Sequence, residues 1–170
     1  MSYEIGADRQ LVLAFDELFA AHHERLLRLA ILVGGDRAAA EDAVADVFAR
    51  LLRRGHRGVA EASDPVAYLN RAVVNELRGA ARRAHRRSRR PWPAELPTRS
   101  DFESGLEERD RVMRALAALN HRQRAVIVLR FYEDLTEPAI ARQLDMPLGT
   151  VKSILSRAMP ILRQQLKDTP

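Results

Sequence analysis

The residues best placed to do chemistry in this 170-residue chain are cations and short polar side chains, and the chemistry they suit is binding to phosphates and bases. In residues 135–158, LTEPAIARQLDMPLGTVKSILSRA, the side chains of Thr150, Lys152, Ser153, Ser156 and Arg157 share the outward face of a short helix. Lysine and arginine neutralise phosphates, and hydroxyls hydrogen-bond to phosphates and to base edges in a major groove. Farther upstream, Arg78, Arg82, Arg83, Arg86, Arg87, Arg89 and Arg90 fall within thirteen residues, with no acid between Glu76 and Glu95. That density is what a polyanion-binding surface needs, although a charge run by itself also reads as a solvated face.

Other chemistries find little support. The chain has no cysteine, which removes disulfides, thiolate metal sites and a cysteine nucleophile. Its five histidines are scattered; His22 and His23, the close pair, point in two directions on a helix and lack carboxylates at ligand spacing, so no metal is expected. There is no glycine-rich phosphate loop, no paired catalytic carboxylates and no nucleophile-base pair, so neither a cofactor nor an enzymatic activity is expected. Glu4, Asp8 and Arg9 precede any long apolar run, which argues against a signal peptide, and no stretch approaches the ~20 residues of a membrane span. The expected compartment is the cytoplasm.

The elements that must position the cations follow from periodicity. With 46% hydrophobic residues, only 5% aromatics and abundant Ala, Leu, Arg and Glu, the composition favours an all-α protein with real cores. Phe15, Leu18, Phe19, Leu26, Leu29 and Val33 keep the helical repeat and stop at Gly34-Gly35, so a first helix runs from about 10 to 33. Asp36 caps a second helix whose stripe is Val44, Val47, Phe48, Leu51 and Leu52, with Glu41, Asp42, Asp46 and Arg50 on the other face. Ser63-Asp64-Pro65 starts a third, with Val66, Leu69, Val73 and Leu77 inward, which runs into the arginine cluster.

Residues 88–105 contain three prolines and no helical period and read as a flexible linker, able to span about 60 Å when extended. Beyond it, Leu106, Val112, Met113, Leu116 and Leu119 mark one helix and residues 122–132 another. Ile140, Ala141 and Leu144 then give an apolar face, Asp145-Met146-Pro147 a break, and Val151, Leu155 and Ala158 a second stripe, the pattern of a helix-turn-helix. The expectation is two small helical domains, 10–87 and 106–168, joined by the linker.

An acidic-then-basic three-helix unit, a proline-containing linker and a terminal helix-turn-helix together resemble the extracytoplasmic-function (ECF) sigma factors of bacterial RNA polymerase. FDELFAAHHERLLRLA, AEDAVADVFARLL and DPVAYLNRAVVNELRGAARR resemble sigma region 2, and ALNHRQRAVIVLRFYEDL through GTVKS resembles region 4. The resemblance implies a sigma factor that binds core RNA polymerase and directs promoter-specific initiation, with a cognate anti-sigma antagonist as a further partner. Region 2 would bind core polymerase through Glu41, Asp42, Asp46, Phe48, Arg50 and Leu51, of which Phe48 and Leu51 also suit the domain core. It would capture unstacked bases of the −10 element through Arg54, Arg57, Tyr68, Arg71, Asn75, Arg78 and Arg82, with His56 in the same loop as Arg57. Tyr68 stands where the family usually has tryptophan and is expected to pack against helix two. Region 4 would read the −35 element as duplex through Leu148, Thr150, Lys152, Ser153, Ser156 and Arg157, with Arg122, Arg124 and Arg130 on backbone phosphates.

Several positions depart from the family pattern. Ala139 stands where a glutamate would complete a capping box with Thr136, Asp145 replaces a turn glycine, and Pro147 replaces a serine cap. Ile154 takes the place of a habitual arginine, Asn120 that of a frequent proline, and Pro160 is expected to kink or end its helix. These departures imply altered or weakened −35 reading. They also keep two alternatives open: a sigma-like DNA-binding regulator that does not recruit polymerase, and a protein that occupies polymerase or an antagonist without initiating transcription.

Overall fold

A computed structural model describes residues 3–54, 64–87 and 106–167, and all the regular structure among them is helical. The elements are α1 (Tyr3–Gly34), α2 (Arg37–Arg54), α3 (Pro65–Arg87), α4 (Leu106–Ala117), α5 (His121–Phe131), α6 (Glu137–Leu144) and α7 (Leu148–Lys167). The linker assigned to 88–105, like Arg57, lies outside the described residues. No helix among the described residues is long and apolar enough to cross a membrane.

Local chemistry sets the breaks. Gly35 adopts φ +80° after α1 while its N–H closes on Ile31 O at 2.8 Å, a left-handed stop that glycine accepts without a Cβ penalty. Asp36 Oδ1 then accepts from Ala39 N at 2.6 Å to cap α2, and Asp64 Oδ1 accepts from Ala67 N at 2.9 Å to cap α3, with Pro65 in the first position. The first helix begins at Tyr3, earlier than the periodicity suggested. Gly6 does not stop it: one glycine costs about 1 kcal/mol relative to alanine, which good helix formers around it absorb.

The first unit packs Leu26, Leu29 and Val33 of α1 against Val44, Val47, Phe48 and Leu51 of α2 and Leu69, Val73 and Leu77 of α3. Gly34 lets Leu77 approach closely, since a Cβ there would lie 3.2 Å from Leu77 Cδ2. Arg50 Nη1 donates to Glu76 Oε2 at 2.6 Å, tying α2 to α3, and Arg83 Nη2 donates to Glu76 Oε1 at 3.0 Å within α3. The hydrogen bond from Arg50 is the main reason the Glu76 carboxyl sits below the usual carboxylate range.

The second unit buries Met113, Leu116, Leu119, Val126, Leu129, Ile140, Leu144, Val151, Ala158 and Leu162. Its α7 continues through Pro160 to Lys167, so the proline does not end the helix, and the Arg111 guanidinium of α4 secures the last turn by donating to Leu166 O. The units also pack on each other, α1 against α5 and α3 against α6, so that the buried apolar side chains form one continuous cluster through both.

Candidate nucleic-acid interface

The helix-turn-helix is built from α6 and α7. Thr136 caps α6, its side chain accepting from Ala139 N at 3.4 Å, and Ala139 returns no side-chain bond. Asp145 occupies the left-handed region at φ 52°, ψ 55°, and Met146 N closes on Ala141 O at 2.9 Å, so the turn forms without its glycine. Pro147 stands in the cap position of α7, where its carbonyl accepts from Thr150 N at 2.9 Å and Val151 N at 3.3 Å, but it brings no side-chain acceptor.

With Val151, Ala158 and Leu162 inward, α7 leaves Leu148, Lys152, Ser156 and Arg157 exposed and Thr150 and Ser153 half-buried. Neither Lys152 nor Arg157 pairs with a carboxylate among the described residues, so both cations are available. Ile154 is half-buried against the core, which gives an apolar residue a packing role there.

On α5 the three arginines have different fates. Arg122 is exposed. Arg124 is 8% exposed, and its Nε and Nη2 donate to Leu116 O at 2.9 Å and Leu119 O at 3.4 Å. The phosphate role expected for it is therefore corrected: its donors satisfy carbonyls at the end of α4, and burial lowers its pKa. Arg130 is partly engaged, its Nη1 reaching Asp134 Oδ1 at 3.4 Å and Leu135 O at 3.3 Å. Asn120, where the family often has proline, caps α5 in a full capping box: its side chain accepts from Gln123 N and its N–H donates to Gln123 Oε1, both at 3.0 Å.

Along α3, Tyr68, Arg71, Asn75, Arg78 and Arg82 recur at intervals of three and four and are all exposed, forming one stripe. Tyr68 is 40% exposed, which corrects the expectation that it packs against helix two. Arg54 is the last residue of α2 rather than part of the following loop.

On α2 the outward face carries Glu41, Asp42 and Asp46, with Glu41 Oε1 accepting from Arg37 Nε at 2.8 Å. Phe48 at 3% and Leu51 at 5% exposure lie in the core, so polymerase contact through them is corrected to a packing role. Arg50 is held by Glu76. Leu52, placed by periodicity in the apolar stripe, is instead 58% exposed, and Phe19 of α1 is 39% exposed while its ring meets Phe48 at 4.8 Å. An apolar component of the α2 surface thus went unread, because a stripe wider than the core it faces leaves its edge outside.

Comparison with known proteins decides the family. Residues 18–88 match the model for Sigma-70 region 2 and residues 115–164 that for Sigma-70, region 4. The "RNA polymerase sigma-E factor" of Streptomyces avermitilis is 34% identical over 159 residues, covering 92% of this chain and 87% of the relative. The "ECF RNA polymerase sigma factor SigM" of Mycobacterium tuberculosis H37Rv is also 34% identical, covering 98% of this chain and 82% of the relative. The chain belongs to the ECF sigma factors of the sigma-70 family. It is accordingly a sigma factor of transcription initiation. The fold agrees with that of a sigma factor RpoE solved in complex with the anti-sigma factor NepR from Bartonella quintana, at TM-score 0.76 and 23% identity, over 92% of this chain and 99% of that one.

In this sigma factor the seam between region 2 and region 4 is polar as well as apolar. Glu133, just past α5, accepts from Arg25 Nη1 of α1 at 2.5 Å and from Asn70 Nδ2 of α3 at 2.9 Å. Arg28 Nε donates to Tyr132 Oη at 3.2 Å. A small crevice elsewhere along the seam is lined by Asn75 and Arg78 from region 2 and by His121 and Arg122 from region 4. His121 is pushed down to about 4, first by burial and then by Arg124, Arg78 and Arg82. Sequence reasoning missed Asn70 and Glu133. One signal was available for Asn70: an amide in the stripe shared with Val73, Val74 and Leu77 requires a buried partner.

Proposed function

We propose that this sigma factor binds core RNA polymerase through the α2 face, reads the −35 element as duplex with α7, and captures and opens the −10 element with α3. Two separate cationic faces, one on each unit, carry this reading: Lys152 and Arg157 on α7, and Arg71, Arg78 and Arg82 on α3. On α7, Leu148, Thr150, Lys152, Ser153, Ser156 and Arg157 supply a methyl-contacting side chain, hydroxyls and cations, the mix that base edges and flanking phosphates need. Arg122 adds a phosphate contact and Arg130 a weaker one, since part of its guanidinium is already engaged.

On α3, Tyr68 offers a planar face for an unstacked base and Asn75 an amide, between arginines that hold the backbone. Arg54, the last residue of α2, and Arg57 would add cations for the same strand. Glu41, Asp42 and Asp46, which have no duty in the core, give α2 an acidic surface for a basic or polar helix of the polymerase, and exposed Leu52 adds an apolar contact beside it. The protein acts by binding and not by catalysis. Tethering the two readers on one chain raises the effective concentration of each for its element. A cognate antagonist is a fitting further partner, as NepR is for the Bartonella RpoE.

Transcription by core polymerase on a pool of genomic promoter fragments, with and without the protein, tests the reading. New discrete starts that share two spaced upstream elements are expected. Polymerase binding without any start would instead favour a regulator or inhibitor.

A further inference from the structure

We infer that the crevice between α3 and α5 is a binding site for a small amphiphilic carboxylate, an aliphatic stem of a few carbons carrying one anionic head. The crevice would take such a ligand whether or not the protein reads promoters.

Its floor is apolar. Val74 of α3, Ala125 of α5 and Leu144 of α6 are buried there, and Met146 of the following turn is half-buried beside them. Its rim is polar and cationic. Asn75 and Arg78 rise from α3 and Arg122 from α5, all three exposed, with half-buried His121 next to Arg122. Neither Arg78 nor Arg122 pairs with a carboxylate among the described residues. The charges acting on His121 are those of Arg124, Arg78 and Arg82, all cations, and Arg124 is engaged with the carbonyls of Leu116 and Leu119. Positive charge therefore collects at the rim with no acid to balance it. His121 Nε2 is also buried with no hydrogen-bond partner within the protein, and in its Nε2–H tautomer it would donate to an anionic head.

Size and lining select the ligand. The crevice has a volume of about 30 Å³. One ordered water needs about 10–15 Å³ of such space, so two to three waters' worth of ligand fits, close to a short aliphatic acid and far below a nucleobase. A nucleic-acid strand, with a sugar on either side of each phosphate, does not enter a space of that size. Inorganic phosphate would suit the rim, but it would set a hydrated dianion against Val74, Ala125 and Leu144, where desolvation is costly. A short-chain acid uses both surfaces. Its methylenes cover the floor, and its two oxygens match the planar forks of the guanidinium groups.

Butyrate is the probe. In the full-length protein at fixed ionic strength, it is expected to move the His121 Cε1–H proton resonance saturably, with a dissociation constant in the millimolar range. The resonance is identified by its loss in His121→Gln. The anion should also raise the ring's pKa from about 4, since it favours the imidazolium form. Acetate should bind up to ~15-fold more weakly, because two methylenes no longer cover the floor. Arg78→Gln and Arg122→Gln, both at exposed positions, should each weaken butyrate roughly tenfold, whereas Arg114→Gln on α4 should not.

A shift no larger than that given by chloride would overturn the site. So would equal binding of acetate and butyrate, or of phosphate and butyrate, since either would show that the apolar floor is unused. Binding untouched by both crevice arginine variants would place the ligand elsewhere and overturn the assignment. Bound butyrate takes up two cations that the promoter reading gives to DNA, so it should also weaken binding of a forked duplex. That consequence rests on the promoter reading. A shifted His121 resonance with unchanged duplex affinity would overturn the competition alone, and a protein that binds no duplex under any condition would overturn the promoter reading and leave the site standing.

Discussion

The Arg124 guanidinium donates to two carbonyls at the end of α4, while Arg122, two residues earlier, stands in solvent. Replacing Arg124 with alanine leaves buried acceptors unpaired, and a hydrogen bond to a charged group contributes roughly 1.5–3 kcal/mol. Arg124→Ala should therefore lower the denaturant midpoint by about that much stability, whereas Arg122→Ala should leave the midpoint in place and weaken DNA binding. Lys152→Ala with Arg157→Ala should weaken duplex binding, reduce the salt slope by about 2, and leave polymerase association intact; loss of that association would count against separate faces. His121 adds a pH dependence. Its pKa drops from 6.5 to about 4, so the unfolded chain takes up a proton below about pH 6.5 that the folded chain refuses until about pH 4. Stability contributed by keeping it neutral is thus complete above that window and lost as pH falls through it, with a ceiling of roughly 3.5 kcal/mol at 1.4 kcal/mol per unit. Urea midpoints at pH 7 and pH 5 should draw together in His121→Gln relative to the parent, a difference that cancels the separate contribution of Glu76.

Caps decide the helices of region 4. Asn120 satisfies the start of α5 in both directions of a capping box, and Asn120→Ala should cost about 1 kcal/mol, measured by chemical denaturation. Pro147 gives α7 no side-chain acceptor, but its fixed φ suits the cap and restricts the unfolded chain, a gain of ~0.4–1 kcal/mol that offsets most of the missing cap. The turn survives because Asp145 tolerates the left-handed region that its family counterpart enters as glycine. These elements were legible from residue types: the Asp36, Asp64 and Thr136 caps, the Gly35 stop and the break at Asp145 all stand where their chemistry pointed. The helix does not end at Pro160, because α7 is held on both sides of it, by Ala158 and Leu162 in the core and by Arg111 at Leu166.

At the scale of the whole molecule, region 2 and region 4 share one apolar cluster as well as the Glu133 carboxylate, which accepts from Arg25 and Asn70. Two units that share a core unfold together, whereas units joined only by a chain unfold separately. The parent should therefore melt in a single calorimetric transition, and Glu133→Ala should resolve into two, with the calorimetric enthalpy exceeding the van't Hoff value when fitted as one. A single transition in both would mean that the apolar contact suffices to couple the units.

By itself the sequence determined the helices, their stops and the two cationic stripes, because helical period, capping chemistry and charge spacing are local properties. The family resemblance was likewise carried by short ordered motifs, and the matches to regions 2 and 4 agree with it. Tertiary structure alone decided which of several equivalent residues were free to bind. Arg122 and Arg124, or Leu51 and Leu52, differ in burial only because of what packs against them. Tertiary structure also brought Arg25, Asn70 and Glu133 together from three distant stretches, and no periodicity records a contact made across 63 or 108 residues of chain.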